Sequence, residues 1–314
     1  MLAALAFSAL IAAAAPVRHP GQPIRIDLHE NPLVATYVVP DDEARHPAVI
    51  VLGGMEGGVP GGGLTLQGYA TLSLAYFGTA PLPQAVEEIP VETVTRALDW
   101  LSRRADVDPT RIGIAGASKG AELALIAAAR DARIKSVAVI SPSAYVWFAP
   151  TYDNRSDHSS WTANNASLPF VPADRGALAN FQRAYESGGT YALRQIYDAS
   201  LASASPASVA GATIPVERIA GPILCVAGDD DREWDSTGAC KAIAQRRHAA
   251  HLDGRDQVAT EPDAGHMLEL GGRPSPDVVS AGRMKLQLGG NAPANARAAA
   301  DAWTRTLTFF ARTL

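Results

Sequence analysis

The stretch Arg111-Ile112-Gly113-Ile114-Ala115-Gly116-Ala117-Ser118-Lys119-Gly120-Ala121-Glu122-Leu123 changes its hydrophobic period at its middle. Ile112–Ala115 is a short apolar run of strand type, and Ala121–Arg130 continues at helical spacing. Between them Gly116, Ser118 and Gly120 form G-x-S-x-G, a strand-to-helix turn so tight that its flanking positions have to be small. Such a turn lifts the serine hydroxyl above the sheet and leaves backbone N–H groups free at the start of the helix. A five-residue pattern alone is a weak signal; a strand directly before it and a helix directly after it are the context it requires. Ser118 is therefore the candidate nucleophile.

The same alternation runs outward from this turn. Ile24–Leu28 and Leu33–Val39 are β-prone runs joined by Glu30-Asn31-Pro32, as in a hairpin. Ala48–Leu52 is continuously apolar, as expected of a strand buried on both faces, and Tyr69–Tyr76 reads as another strand. Pro90 suits a first helical turn, with Val91, Val94, Leu98 and Leu101 following at helical spacing. Beyond the serine, Val137–Ile140 and Pro222–Ala227 read as strands, and Cys240–Arg247 and Ala296–Arg312 as helices. Strands alternating with helices predict a mostly parallel central sheet with helices on both faces, its active site at the carboxyl ends of the strands.

One stretch breaks the rhythm. From Ser141 to Pro215 the period is unclear, and Trp147, Phe148, Trp161, Phe170 and Phe181 are concentrated there. A long excursion of this kind is uncommon without a task. The expectation is an inserted cap over about 142–215, partly helical in Ala177–Tyr197, on a single domain running from 15 to 314. Trp147, Phe148, Trp161 and Phe170, with Trp234 beyond the cap, are the candidates for an apolar substrate pocket.

Composition narrows the function classes. The chain has 314 residues, 47% of them hydrophobic, enough for a sizeable core. The net charge of −5 and the scattered Lys and Arg argue against a nucleic-acid surface. Two cysteines make neither a disulfide framework nor a cysteine-rich zinc site. No metal and no cofactor are expected for the chemistry read below. Cys225 and Cys240 read as packing residues rather than a disulfide. Leu2–Ala15 is apolar apart from Ser8, too short to span a bilayer, and ends in alanines before Pro16. It fits a signal peptide over 1–14, cut near Ala14. The expectation is an exported protein, periplasmic or secreted, if that segment is a signal, and a cytoplasmic one otherwise. Stable membrane insertion after cleavage is not expected.

A serine hydroxyl needs a base, itself oriented by an acid, and after an elbow of this type the chain order is nucleophile, acid, histidine. His158 precedes any acid in that order, and His248 and His251 lie in a polar stretch at a helix end. His266, after Ala264-Gly265 and ahead of the final helix, is where the base should fall. The acid should lie on the loop after Pro222–Ala227, which carries Asp229-Asp230-Asp231. The backbone N–H of Lys119 is the first oxyanion donor, and Gly53-Gly54-Met55-Glu56-Gly57 should supply the second, from Met55 or Glu56.

Ser118 with Lys119-Gly120-Ala121-Glu122-Leu123 resembles the S-K-G-x-E-L elbow of the acyl-CoA thioesterase and bile-acid-CoA:amino-acid N-acyltransferase C-terminal family, close to dienelactone hydrolase. The resemblance runs from about Pro47 to Leu314. It takes in Leu74-Ala75-Tyr76-Phe77, Ser160-Trp161-Thr162, Leu168-Pro169-Phe170-Val171-Pro172, Ile214-Pro215-Val216-Glu217, Asp231-Arg232-Glu233-Trp234, Ala264-Gly265-His266 and Asp301-Ala302-Trp303. It implies an α/β-hydrolase fold with Ser118, Asp231 and His266 as the triad, and the D-x-x-W spacing to Trp234 is what selects Asp231. Three departures stand out: an exported protein would not meet cytosolic acyl-CoA, and two more lie in the sequence itself. The residues between the expected cleavage and Pro47 are too few for the family's amino-terminal β-sandwich, and the nucleophile is serine where the amino-acid-conjugating members use cysteine.

Together these readings predict a cofactor-free serine hydrolase acting on small-molecule carboxylic esters or thioesters through an acyl-serine. The alternatives are an acyltransferase delivering the acyl group to an amine and a non-catalytic ligand-binding homologue. An acyl-serine is an oxygen ester, attacked less readily by amines than a thioester is, which favours hydrolysis. The oligomeric state is not legible in the sequence.

Overall fold

The computed structural model describes residues 22–30, 32–60, 68–150, 157–268 and 276–314. Residues 1–14, read above as a signal peptide, lie outside the described residues. The opening hairpin pairs β1 (Ile24–Glu30) with β2 (Leu33–Val39), Ile24 lying opposite Val39. β3 (His46–Leu52) and β4 (Ala70–Ala75) follow, and β5 (Ile89–Pro90) leads into α1 (Glu92–Ser102). β6 (Val107–Ala117) runs into α2 (Lys119–Ala128), and β7 (Ile134–Ile140) comes next. After β7 the chain forms β8 (Trp161–Ala163), β9 (Ala166–Ser167), α3 (Arg175–Ser187), β10 (Thr190–Tyr191), α4 (Arg194–Ser203) and α5 (Pro206–Ala212). It then returns through β11 (Ile223–Gly228), α6 (Ser236–Ala249), β12 (Gln257–Glu261), β13 (Val278–Ala281), β14 (Met284–Gln287) and α7 (Ala292–Thr313).

Eight of these strands make one sheet in the order β1-β2-β4-β3-β6-β7-β11-β12. Only the pairings β1–β2 and β2–β4 are antiparallel; every later pairing is parallel. The period-2 rule sorts its side chains between two layers. Ala48, Ile50 and Leu52 of β3 face a core shared with α1, α2 and α6, whereas Val49 and Val51 face Ala298, Ala302, Phe309 and Phe310 of α7. Each fully buried Ile or Leu contributes about 1.5–3 kcal/mol, so the two-sided burial of β3 fixes its register firmly. No described helix is long and apolar enough to cross a membrane.

The segment after β7 builds a third apolar cluster, with Trp147, Phe148, Phe181, Tyr191 and Tyr197 packed on Trp234, Met284 and Leu286. Its helices are marked in the sequence by their caps. Asp174 accepts from the Ala177 N–H at the start of α3, Gly188 closes that helix at φ 68°, and Ser205 caps α5 ahead of Pro206.

Three local expectations are corrected. Pro90 does not open the helix: in β5 it lies opposite Thr162 of β8, with Ile89 opposite Trp161, and α1 starts at Glu92. β12, β13 and β14 were not anticipated, being short and half-exposed, without a continuous apolar run. Cys225 and Cys240 are not separate packing residues; they form a disulfide, with Cα atoms 5.7 Å apart. α6 folds back onto the strand it follows, which brings two buried side chains 15 residues apart into contact. The bond ties the two ends of the loop that carries Asp231. A closed loop of this length is worth about 3 kcal/mol. The double substitution Cys225→Ala/Cys240→Ala should therefore lower Tm by several degrees, measured by calorimetry; an unchanged Tm would show that the bond adds nothing.

Candidate active site

Ser118 stands at the turn between β6 and α2 with φ 53° and ψ −121°, a conformation side-chain-bearing residues rarely adopt. The neighbours show why the turn tolerates only glycine on either side. A Cβ on Gly116 would lie 2.3 Å from the Gly120 carbonyl oxygen, and one on Gly120 would lie 2.2 Å from the Gly53 carbonyl oxygen. The elbow is thus wedged against the end of β3. Ser118 itself is half-buried and reachable, and Lys119 begins α2, where the first N–H groups have no carbonyl partner within the helix.

The structure brings Ser118, His266 and Asp231 into one hydrogen-bonded line. Ser118 Oγ is 2.8 Å from His266 Nε2, and His266 Nδ1 is 2.9 Å from Asp231 Oδ2. His266 is held from several sides. Its backbone N–H donates to the Leu288 carbonyl, the Ser141 hydroxyl donates to its carbonyl, and the Trp234 ring meets the imidazole edge-on at 4.9 Å. Trp234 is fixed in turn by its Nε1–H, which donates to the Ser141 carbonyl at 3.1 Å.

The three adjacent aspartates separate by partner. Asp231 is 1% exposed and accepts from the N–H groups of Glu233 and Trp234, from the Ser236 hydroxyl and from His266. Asp230 instead accepts from Arg232 Nε and the Gly290 N–H, and Asp229 from the Asp263 N–H. The other histidines lie elsewhere: His158 is half-exposed beside Asp157, His248 pairs with Asp253, and His251 lies just past the end of α6.

Burial alone would lower the His266 pKa, but the charge and hydrogen bond of Asp231, joined by the charge of Glu233, outweigh it and raise it. In a mechanism in which His266 takes a proton from Ser118, the imidazole has to be neutral. Such a mechanism predicts that kcat/KM falls on the acid side with an apparent pKa above that of an ordinary histidine. Activity undiminished down to pH 5 would contradict a titrating His266 base.

The loop expected to give the second oxyanion donor lies where the sequence places it, and Gly54 is the residue packed on Ser118. A Cβ on Gly54 would come within 3.2 Å of the Ser118 Cβ. Glu56 turns its side chain back to accept from the Gly54 N–H at 2.9 Å, Met55 packs against the main core, and the Tyr76 hydroxyl donates to the Gly53 and Gly54 carbonyls.

The aromatic candidates divide. Trp147, Phe148 and Trp234 are buried in one cluster around Tyr197, with Trp147 4.8 Å and Trp234 5.2 Å from its ring. Trp161 is fully buried in the main core beside Tyr76, and Phe170 keeps partial exposure. What joins them to the elbow is Glu122, which sequence reasoning did not single out as a site residue. Its carboxylate, fully buried, accepts from Lys119 Nζ at 2.7 Å, Trp161 Nε1 at 2.7 Å and the Trp147 N–H at 3.0 Å. A buried ion pair is retained only where its hydrogen bonds are satisfied, and here those bonds fasten the segment after β7 to the first turn of α2. The Lys and Glu of the S-K-G-x-E-L stretch are the signal that could have found it. Burial lowers the Lys119 pKa, and Glu122 offsets this only in part.

The family described as BAAT / Acyl-CoA thioester hydrolase C terminal matches residues 89–314. Acyl-coenzyme A thioesterase 6 of Mus musculus is 29% identical over 297 residues, covering 92% of this chain and 65% of that protein. Mitochondrial acyl-coenzyme A thioesterase 2 of Mus musculus is 29% identical over 298 residues, covering 92% and 60%. The Mus musculus peroxisomal succinyl-coenzyme A thioesterase is 28% identical over 298 residues, covering 92% and 65%. The chain thus spans 60 to 65% of the length of these relatives. Among solved structures, a putative dienelactone hydrolase from Klebsiella pneumoniae superposes with a TM-score of 0.51 at 14% identity, over 89% of this chain and 93% of that one. A dienelactone hydrolase-like promiscuous phosphotriesterase from metagenomic libraries does so with 0.54 at 15%, over 93% and 98%. The sheet order, the elbow and the match over residues 89–314 agree: the chain has the α/β-hydrolase fold and belongs to the BAAT / acyl-CoA thioester hydrolase C-terminal family.

Proposed function

We propose that the protein is a serine hydrolase that cleaves acyl thioesters, and carboxylic esters of similar shape, through an acyl-Ser118 intermediate. The observation that carries this reading is the hydrogen-bonded line Ser118–His266–Asp231 at a strand-to-helix elbow. The acyl-coenzyme A thioesterases similar to this chain support thiol leaving groups.

Ser118 Oγ attacks the acyl carbonyl while His266 Nε2 takes its proton. The tetrahedral oxyanion is held by the Lys119 N–H and an N–H of the Gly53–Gly57 loop, at Met55 or Glu56. His266 then protonates the departing sulfur or oxygen, and in the second half it deprotonates water to release the acid. Asp231 holds the imidazole in the tautomer that presents a bare nitrogen to Ser118. The segment 142–215 acts as a cap, and Phe170 with Trp147, Phe148 and Trp234 of the adjoining cluster gives the acyl side its apolar character, whereas Trp161 lies in the main core and does not line it. The protein works after export, in a compartment where the Cys225–Cys240 bond is stable.

Matched series of p-nitrophenyl esters and acyl thioesters, from two to eight carbons, test this. Both classes should be cleaved, with kcat/KM rising from acetyl toward medium chains, each buried CH₂ being worth up to about 0.8 kcal/mol. Cleavage of esters alone would remove the thioesterase reading, and a flat or falling series would remove the apolar acyl pocket.

A further inference from the structure

Two buried carboxylates near the elbow are fully served by the fold. Glu122 has three donors, and Asp231 has four. Glu233 is treated differently. The residue is 8% exposed, and its backbone N–H donates to Asp231, yet its carboxylate has neither a hydrogen bond nor an ion pair among the described residues. The charges that act on it are His266, Asp231 and Lys119, so the carboxylate lies near the His266 imidazole and the start of α2. Among the described residues the side-chain polar atom both sealed from solvent and unpartnered is Arg96 Nε, so the Glu233 carboxylate keeps a narrow opening to solvent. A carboxylate so nearly buried with no donor from the fold is costly. Burial pushes its pKa up to about 7 despite the pull of His266 and Lys119, which leaves it charged in mildly alkaline solution.

That opening leaves room for a donor from outside the chain. His266 has to hand its proton to the departing atom, so the first atoms of the leaving group pass beside the imidazole that Glu233 lies near. We propose that Glu233 is a specificity residue for the leaving group, its carboxylate accepting a hydrogen bond from an N–H or O–H a few atoms beyond the departing sulfur or oxygen, such as the amide N–H of an N-acylcysteamine thiol. This rests on the thioesterase reading above. A hydrogen bond made equally in the ground state and the transition state acts on KM rather than kcat, and one to a charged acceptor changes kcat/KM about tenfold or more.

The test compares two thioesters of the same acyl group at pH 8, one of N-acetylcysteamine and one of its N-methyl amide analogue, which lacks the donor. The readout is the ratio of their kcat/KM values within each enzyme, from which the fraction of folded protein cancels. Wild type should prefer the N–H thioester about tenfold, mainly through KM. Glu233→Gln, which keeps volume and a neutral acceptor, should lower the ratio to about threefold, and Glu233→Leu should bring it near one. A wild-type ratio near one, or a ratio unchanged in the variants, overturns the proposal while leaving thioester cleavage intact. A wild type that cleaves a p-nitrophenyl ester of the same acyl group but neither thioester overturns the thioesterase reading and this proposal with it.

Discussion

Ser118→Ala should lower kcat by on the order of 10³-fold or more on any ester or thioester the protein cleaves, without loss of the fold. In the mechanism proposed above the substitution removes the attacking atom itself. What would survive is the oxyanion hole and substrate binding, which sustain only slow attack by water. Alanine fits the position: only Oγ is lost, and its one hydrogen-bond partner among the described residues is His266 Nε2. The strained backbone is set by β6, α2 and the glycine contacts on either side, not by the hydroxyl. The melting temperature should therefore stay close to that of wild type. Activity within tenfold of wild type at an unchanged Tm would move the nucleophile elsewhere.

Asp231→Asn should be the more damaging of two adjacent substitutions, lowering kcat by around 10⁴-fold with little change in KM. Asp231 uses both carboxylate oxygens as acceptors: Oδ1 for the N–H groups of Glu233 and Trp234, Oδ2 for Ser236 and His266. An asparagine can satisfy only one of these sides with its oxygen. If the amide oxygen keeps the backbone donors, the NH₂ faces His266 Nδ1 and selects the tautomer with hydrogen on Nε2. That histidine cannot accept the Ser118 proton. Asp230→Asn touches only the Arg232 contact and the Gly290 N–H, and should cost far less. The reverse ranking, on one ester at one pH, would transfer the acid to Asp230.

Much of this was legible because the relevant signals are local. A continuous apolar run such as Ala48–Leu52 can be read without knowing its neighbours, and β3 covers it. The elbow is local too, since small residues at 116 and 120 are demanded by contacts within a few residues of Ser118 or with the end of β3. Chain order led to His266 and to the loop of three aspartates. Choosing Asp231 among them took the D-x-x-W spacing, because which way a loop side chain points depends on Ser236 and His266, which are distant or unmarked in sequence.

What the sequence hid is what depends on three-dimensional return. The contact between Cys225 and Cys240 exists because α6 packs back on β11, and no feature of either cysteine announces it. β13 pairs with β14, and β14 with β10, rather than with the main sheet, so their short, alternating patterns lack the apolar continuity that marks a central strand. Glu122 and Glu233 look alike on paper as single acidic residues near motifs. Only the donors around them separate a cross-link, with Lys119, Trp147 and Trp161, from a carboxylate with no hydrogen bond among the described residues.

Labelling with a fluorophosphonate, followed by peptide mapping and assay of the same sample on a p-nitrophenyl ester and its matched acyl thioester, tests the central claim most directly. An acyl-Ser118 mechanism predicts one adduct, on the peptide that contains Ser118, and loss of both activities in parallel with its formation. An adduct at another residue, or thioester cleavage that persists when Ser118 is fully modified, would contradict it.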